Sequence, residues 1–248
     1  MVEKRVYIVG IGPGDPKYLT LEAVEIIKRL KTFILPEKKG KKEELTLVRE
    51  EIIKFCKGED RDYRVIRIEF PERRKGGAYK DEVKKWRDAK VKMLVSALED
   101  AEEACFLVIG DPSLYDGHIE IFKKVKEYIP LKIEIIPGIS ALSLLSAKHS
   151  ISLTKIAESL LITTPRGLRK LKHISMNTLV FLDNYETFKL FKEDKNLKIY
   201  WGAYLGSDKE VLHSGNLSQC WQDIVNLRRK LREENGYIME IYLLTKDT

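Results

Sequence analysis

Cysteine is scarce in this chain. Three cysteines, Cys56, Cys105 and Cys220, are scattered over 248 residues. No CxxC pair and no Cys/His ligand spacing occurs, which excludes a disulfide framework and a structural zinc site. No apolar run approaches the ~18 residues that a membrane span needs. The N-terminus, MVEKRVYIVGIGPGD, lacks an apolar segment followed by a small-residue cleavage site, so the expectation is a cytoplasmic protein with reduced thiols. Internal repeats and low-complexity tracts are missing as well. What is present is a foldable composition: 44% apolar and 33% charged residues, which excludes global disorder. The length suits one large domain or two compact ones at ~100–200 residues each. Lys plus Arg number 45 and Asp plus Glu 38, so the formal charge is 45 − 38 = +7. A positive balance points to an anionic partner such as nucleic acid, phosphate or a polycarboxylate. The acids are interspersed among the bases and no basic stripe interleaved with aromatics is evident, which argues against nucleic acid.

Hydrophobic periodicity gives the organisation. Short apolar runs at Arg5 to Ile11, Phe33 to Leu35, Val65 to Phe70, Ala104 to Ile109 and Lys132 to Ile136 read as buried strands, the second ending at Pro36. Between them lie helical patterns. Thr20 caps one with Ala23, Val24, Ile27 and Leu30 on a single face; Leu45, Val48, Ile52 and Phe55 mark the next; Glu82 to Glu99 and Ile119 to Tyr128 follow. Strand and helix alternating in this way predict an α/β fold, a parallel five-stranded sheet covered on both faces. The first domain is expected at 1–137. The second, 138–248, carries strand candidates at Leu160 to Thr163, Thr178 to Leu182, Lys198 to Tyr204, Glu210 to Ser214 and Tyr237 to Leu244, with a long helix from Ser218 to Glu234. The short gap around Gly206-Ser207 allows a hairpin, so the second sheet should be mixed.

Three strand ends lead into loops of the kind that build sites, because ligands of open α/β sheets sit outside the carboxyl ends of strands. The first is Gly10-Ile11-Gly12-Pro13-Gly14-Asp15. Its GxGxG spacing is not the GxGxxG of a dinucleotide site. Pro13 has no N–H to offer and Asp15 would face a pyrophosphate with like charge, so an NAD or FAD site is disfavoured. The glycines still imply close backbone approach or positive φ. Asp15 on such a turn could touch a substrate; a turn cap is an equally good use of it. The second loop is Gly110-Asp111-Pro112-Ser113-Leu114-Tyr115, after the apolar strand CFLVI. The third is Pro137-Gly138-Ile139-Ser140, where Ser140 could contact a ligand or cap the next helix.

The stretches VYIVGIGPGDPKYLTLEA, FLVIGDPSLYDG and IEIIPGISALSLLSA, in this order and spacing, resemble the tetrapyrrole (corrin/porphyrin) methyltransferase family. The resemblance implies a tetrapyrrole methylase-like fold: two α/β domains, with S-adenosylmethionine in the cleft between them. FPERRKGGAYKDEVKKW, LITTPRGL, YWGAYLGSDKEVLHSGNL and GYIMEIYLL are similar to those family members that methylate and deacetylate precorrin-5 to give precorrin-6A in corrin assembly. So the similarity spans nearly the whole chain. Pro13 follows the wider family, where the deacetylating members tend to have Ala. Other members act on other precorrins, on a ribosomal RNA or on a modified protein histidine.

By this resemblance Gly110, Asp111, Ser113, Leu114, Tyr115 and Ser140 hold the cofactor, joined by Leu182, Trp201, Gly202 and Ala203 from the second domain. Core packing is the plain alternative for Leu182 and Trp201. Gly12, Pro13, Gly14 and Asp15 face the substrate, and Asp15 is the first candidate for proton transfer or for orienting the tetrapyrrole. Tyr115 is a second candidate, as a donor to the acetyl oxygen. His118 reads as a packing or surface histidine in the following helix. Arg73, Arg74 and Lys75 precede Gly76-Gly77 and could recognise substrate carboxylates, Arg through bidentate pairs; a solvated basic loop fits equally. The resemblance also implies a homodimer acting on a small-molecule tetrapyrrole; the missing ligand spacing and apolar run already lead to the expectation of no metal and no membrane.

Overall fold

The computed structural model describes residues 2–37, 43–71 and 79–246. The chain divides into two compact units, Met1–Ser140 and Ala141–Thr248, where the sequence placed a boundary at 137/138.

The first unit is a parallel sheet of five strands: β1 (Lys4–Gly10), β2 (Thr32–Glu37), β3 (Arg64–Glu69), β4 (Glu103–Val108) and β5 (Leu131–Ile136). Their spatial order is β3-β2-β4-β1-β5. The helices are α1 (Leu21–Arg29), α2 (Glu44–Lys57), α3 (Tyr79–Ala97) and α4 (His118–Val125). Successive strand residues point to opposite faces, and two cores result. Val6, Ile8 and Phe106 join Leu94, Phe122 and Val125 from α3 and α4. Tyr7, Val9, Phe33 and Leu35 join Ala23, Ile27, Ile52 and Ile53 from α1 and α2. Thr20 caps α1 as expected: its side chain accepts from the Ala23 N–H at 3.1 Å.

The strand expected to end at Pro36 continues through it to Glu37, with Pro36 level with Ile68 of β3. The reason is that β2 leaves β4 after Ile34↔Phe106, so a residue without an N–H loses no ladder bond there. The exposed edge of β4 is filled by a side chain: Arg49 Nε donates to the Leu107 carbonyl at 3.0 Å. Burial lowers that guanidinium's pKa to about 10, opposed by the nearby Asp116.

The second unit opens with α5 (Ala141–His149), followed by β6 (Leu160–Thr163), the one-turn α6 (Pro165–Leu168), β7 (Asn177–Phe181), β8 (Leu197–Ala203), β9 (Val211–Asn216), α7 (Leu217–Asn235) and β10 (Glu240–Lys246). The sheet order is β6-β7-β10-β8-β9. β6 and β7 are parallel, and every other pairing is antiparallel, so the sheet is mixed. Its core gathers Trp201, Tyr242, Phe188, Ile199 and Leu217. α5 has no amphipathic stripe, since Ala141, Leu142, Leu144, Leu145 and Ala147 spread round its circumference; only a possible cap at Ser140 pointed to it. The last strand begins at Glu240 rather than Tyr237, because the Tyr237 carbonyl is taken by the Tyr204 hydroxyl.

Candidate active site

In the first unit β1 leads through α1 to β2 on one side, while β4 leads through α4 to β5 on the other, and β1 and β4 are neighbours. Their carboxyl ends therefore form the switch point of the sheet, where α/β folds bind ligands. All three glycine-bearing loops meet there. Gly12 and Gly110 form a bridge, the Gly110 N–H donating to the Gly12 carbonyl at 2.6 Å. A Cβ on Gly138 would lie 2.4 Å from the Gly110 carbonyl oxygen and 2.8 Å from Gly10 Cα; a Cβ on Gly10 would lie 2.7 Å from Gly138 N. Three backbones thus touch, which only glycine permits. The sequence flagged glycine in these loops but not this three-way contact.

Asp111 locks the arrangement. One carboxylate oxygen accepts from the Gly138 N–H at 2.9 Å and the other from the Ser113 N–H at 2.8 Å, with the Ser113 hydroxyl donating as well. Burial opposes its charge, yet these hydrogen bonds hold its pKa below the usual carboxylate range. Asp111 and Ser113 therefore satisfy each other and shape the loop. Gly110 differs from Gly10 and Gly138: its φ is +79° and nothing lies within 4 Å of a Cβ built on it, so its Cα faces open space while its N–H and carbonyl pair with Gly12.

Asp15 takes the capping alternative. It caps a short 3-10 turn, Pro16–Tyr18, accepting from the Lys17 N–H at 3.0 Å while pairing with Lys17 Nζ at 2.7 Å. The Lys17 ammonium, then its N–H, lower the Asp15 pKa. The turn cap is thus formed, and the Lys17 pair favours the ionised carboxylate. Gly14 sits at φ +109° against Val48. His118 opens α4 as a packing histidine: its ring centroid lies 4.5 Å from that of Phe106, and Nδ1 lies 2.9 Å from Asp116. Arg73, Arg74 and Lys75 lie outside the described residues. Among the described residues no group of His, Cys, Asp or Glu could hold a metal ion, and no helix is long and apolar enough to cross a membrane.

Strained backbone marks the same kind of position. Tyr115, in the loop after β4, has φ +54°; Leu182, after β7, +60°; Tyr204, after β8, +49°. Non-glycine residues avoid this region unless surroundings impose it, and it concentrates at functional sites. Tyr115 is 46% exposed and Leu182 59%, so neither adopts the conformation in order to bury itself. Core packing is thus excluded for Leu182. It holds for Trp201, which is fully buried and donates its indole N–H to Glu240 at 2.7 Å, so its side chain offers no exposed apolar wall. Gly202 and Ala203 are buried as well, and a Cβ on Gly202 would strike Leu205 Cδ2 at 2.6 Å. β7 and β8 are both antiparallel to β10, with Phe181 and Gly202 both opposite Ile241. Leu182 and Ala203 therefore stand at the same edge of the second sheet.

The model of the tetrapyrrole (corrin/porphyrin) methylases matches residues 5–220. The chain belongs to this family. Among curated members it is 35% identical to the Sinorhizobium sp. precorrin-6A synthase [deacetylating] over 98% of this chain and 95% of that protein. Its fold matches the crystal structure of a cobalamin synthesis related protein (CobF) from Corynebacterium diphtheriae, with a TM-score of 0.83, 27% identity and 99% of each chain covered. A more distant methylase fold, the uroporphyrin-III C-methyltransferase of Thermus thermophilus solved with S-adenosyl homocysteine, aligns with a TM-score of 0.60 at 17% identity, over 97% of each chain. Sequence reasoning missed two sets of residues in this methylase. One is the contact of Gly10 with Gly138, two glycines of the loops whose meeting is tertiary. The other is the buried Asp183, Arg228 and Glu240, signalled only by an arginine inside the Ile224–Leu231 apolar stripe and a glutamate opening an apolar strand.

Proposed function

We propose that this methylase is a deacetylating precorrin-6A synthase of corrin biosynthesis: precorrin-5, S-adenosylmethionine and water give precorrin-6A, S-adenosylhomocysteine and acetate. Near-full-length similarity to the Sinorhizobium enzyme carries this reading. Taken each by itself, the first unit leaves a side-chain-free surface over the Gly110 Cα and the second an exposed apolar side chain at Leu182, both suited to a nucleoside cofactor. When bound, S-adenosylmethionine supplies an electrophilic methyl group on a sulfonium.

Gly110, Asp111, Ser113, Leu114, Tyr115 and Ser140 are the first unit's proposed contribution to holding it; Leu182 and the backbone of Trp201, Gly202 and Ala203 are the second's. Alignment is the main task of such residues, and a near-attack geometry contributes about 7–11 kcal/mol. Gly12, Pro13, Gly14 and Asp15 orient the tetrapyrrole, whose enamine-like carbon is the nucleophile. The exposed Tyr115 phenol, protonated at neutral pH like any tyrosine, is suited to donate a hydrogen bond to the acetyl oxygen as charge develops there. We place the active form as a homodimer. The test is stoichiometric: with precorrin-5 and isotopically labelled methyl donor, one acetate is released per methyl group incorporated. Methyl transfer without acetate would refute the deacetylating assignment, and no transfer would refute the substrate.

A further inference from the structure

We propose that Asp183, backed by Arg228 and Glu240, is a positioning residue that holds Leu182 and the end of β8 in cofactor-binding geometry. This rests on the cofactor reading above. Leu182 is exposed yet left-handed, so its backbone is held by the turn that follows it: its carbonyl accepts from the Asn184 N–H at 3.1 Å, and its successor Asp183 is anchored. Asp183 is 1% exposed. One of its carboxylate oxygens accepts from the Tyr185 N–H at 2.9 Å and the Thr187 hydroxyl at 3.0 Å; the other accepts from the Thr187 N–H at 2.6 Å and the Tyr242 hydroxyl at 2.7 Å. Its carbonyl accepts from Arg228 Nη2. The residue after the strained leucine is therefore fixed at side chain and backbone alike.

The same network reaches the second strand end. Glu240 lies opposite Ala203 in β10, between the ends of β7 and β8. Its Oε2 accepts from Arg228 Nε at 2.7 Å and from the Trp201 indole at 2.7 Å. Arg228 Nη1 also lies 3.0 Å from Glu186 Oε1, though not aligned for a hydrogen bond. Burying this many charged groups is no economical way to stabilise a core, since apolar residues of similar volume serve as well. What the network supplies is geometry: one guanidinium grips the backbone beside Leu182 and, through Glu240, the strand carrying Trp201, Gly202 and Ala203.

The experiment compares wild type, Tyr242→Phe, Thr187→Val and the control Ile224→Val, which shaves the same core on α7 and removes no hydrogen bond of the network. Each is titrated calorimetrically with S-adenosylhomocysteine, melted thermally and assayed at steady state. Losing one hydrogen bond to Asp183 is expected to weaken S-adenosylhomocysteine binding and raise KM for the methyl donor by roughly 3–10-fold, with kcat within about twofold. Ile224→Val should lower Tm to a similar extent and leave Kd within about twofold. Network variants that bind within about twofold of wild type, or a control that weakens binding as much as they do, would overturn the proposal. A wild-type protein that gives no heat with S-adenosylhomocysteine would instead overturn the cofactor reading itself.

Discussion

Gly138 and Gly110 meet in the same loop cluster, yet alanine at each should fail in a different way. At Gly138 the new Cβ would sit 2.4 Å from the Gly110 oxygen, 2.7 Å from Gly10 C and 2.8 Å from Gly10 Cα. All three are backbone atoms of neighbouring strand ends, so no side chain can swing aside. Overpacking of this kind costs about 1–3 kcal/mol, and the rigid neighbours place Gly138→Ala at the upper end. At roughly 2–4 °C per kcal/mol for a chain of this size, Tm should fall by roughly 6–12 °C. At Gly110 nothing lies within 4 Å of the new Cβ, and only φ +79° opposes it. That strain costs about 1 kcal/mol, or roughly 2–4 °C. The methyl group, however, would occupy the open space assigned to the cofactor. Thermal melts and calorimetry with S-adenosylhomocysteine separate the two outcomes. Gly138→Ala should lose stability first; Gly110→Ala should melt almost normally and lose measurable binding. A Gly110→Ala protein with wild-type affinity would refute the reading of this space as a ligand cradle, and an unchanged Tm for Gly138→Ala would refute the rigidity of the three-backbone contact.

Leu182→Gly relieves a left-handed φ at an exposed side chain; it should hold or raise Tm while weakening S-adenosylhomocysteine binding, and calorimetry showing unchanged affinity would contradict its role. The thiols of Cys56, Cys105 and Cys220 are buried, and burial pushes the Cys56 thiol pKa up to about 11; Ellman's reagent at pH 8 should label none of them before unfolding, and rapid labelling of native protein would disprove their burial. Asp111 has a folded pKa below its unfolded one, so the stability it contributes is present above the unfolded value near 3.9 and is lost as pH falls through the folded value. Asp111→Asn should therefore flatten the acid limb of a stability-versus-pH curve, and an unaltered limb would remove Asp111 as its cause.

Much of the fold was legible because apolar periodicity is a local property. The five strands of the first sheet and the mixed second sheet follow from runs such as Val6 to Val9 and Ile241 to Leu244. What periodicity does not carry is pairing between distant segments. That β2 outlives its contact with β4, tolerating Pro36 and drawing Arg49 into the gap, depends on register. The site was legible as three loops but not as one object, since the contact of Gly10, Gly110 and Gly138 is tertiary. Asp15 illustrates the limit for single residues: its motif draws attention to it, but the turn it caps and its pairing with Lys17, two residues on, are read only from the structure. Trp201 was placed on the right strand, while the direction of its side chain was set by Glu240, 39 residues away.

The proposed reaction exchanges an acetyl group for a methyl group on one tetrapyrrole carbon. Mass spectrometry of the product formed from precorrin-5 and S-adenosylmethionine tests it most directly. The product should gain about 14 mass units for the added methylene and lose about 42 for the acetyl group, a net fall of about 28. A product heavier by about 14 alone, or an unchanged substrate, would contradict it.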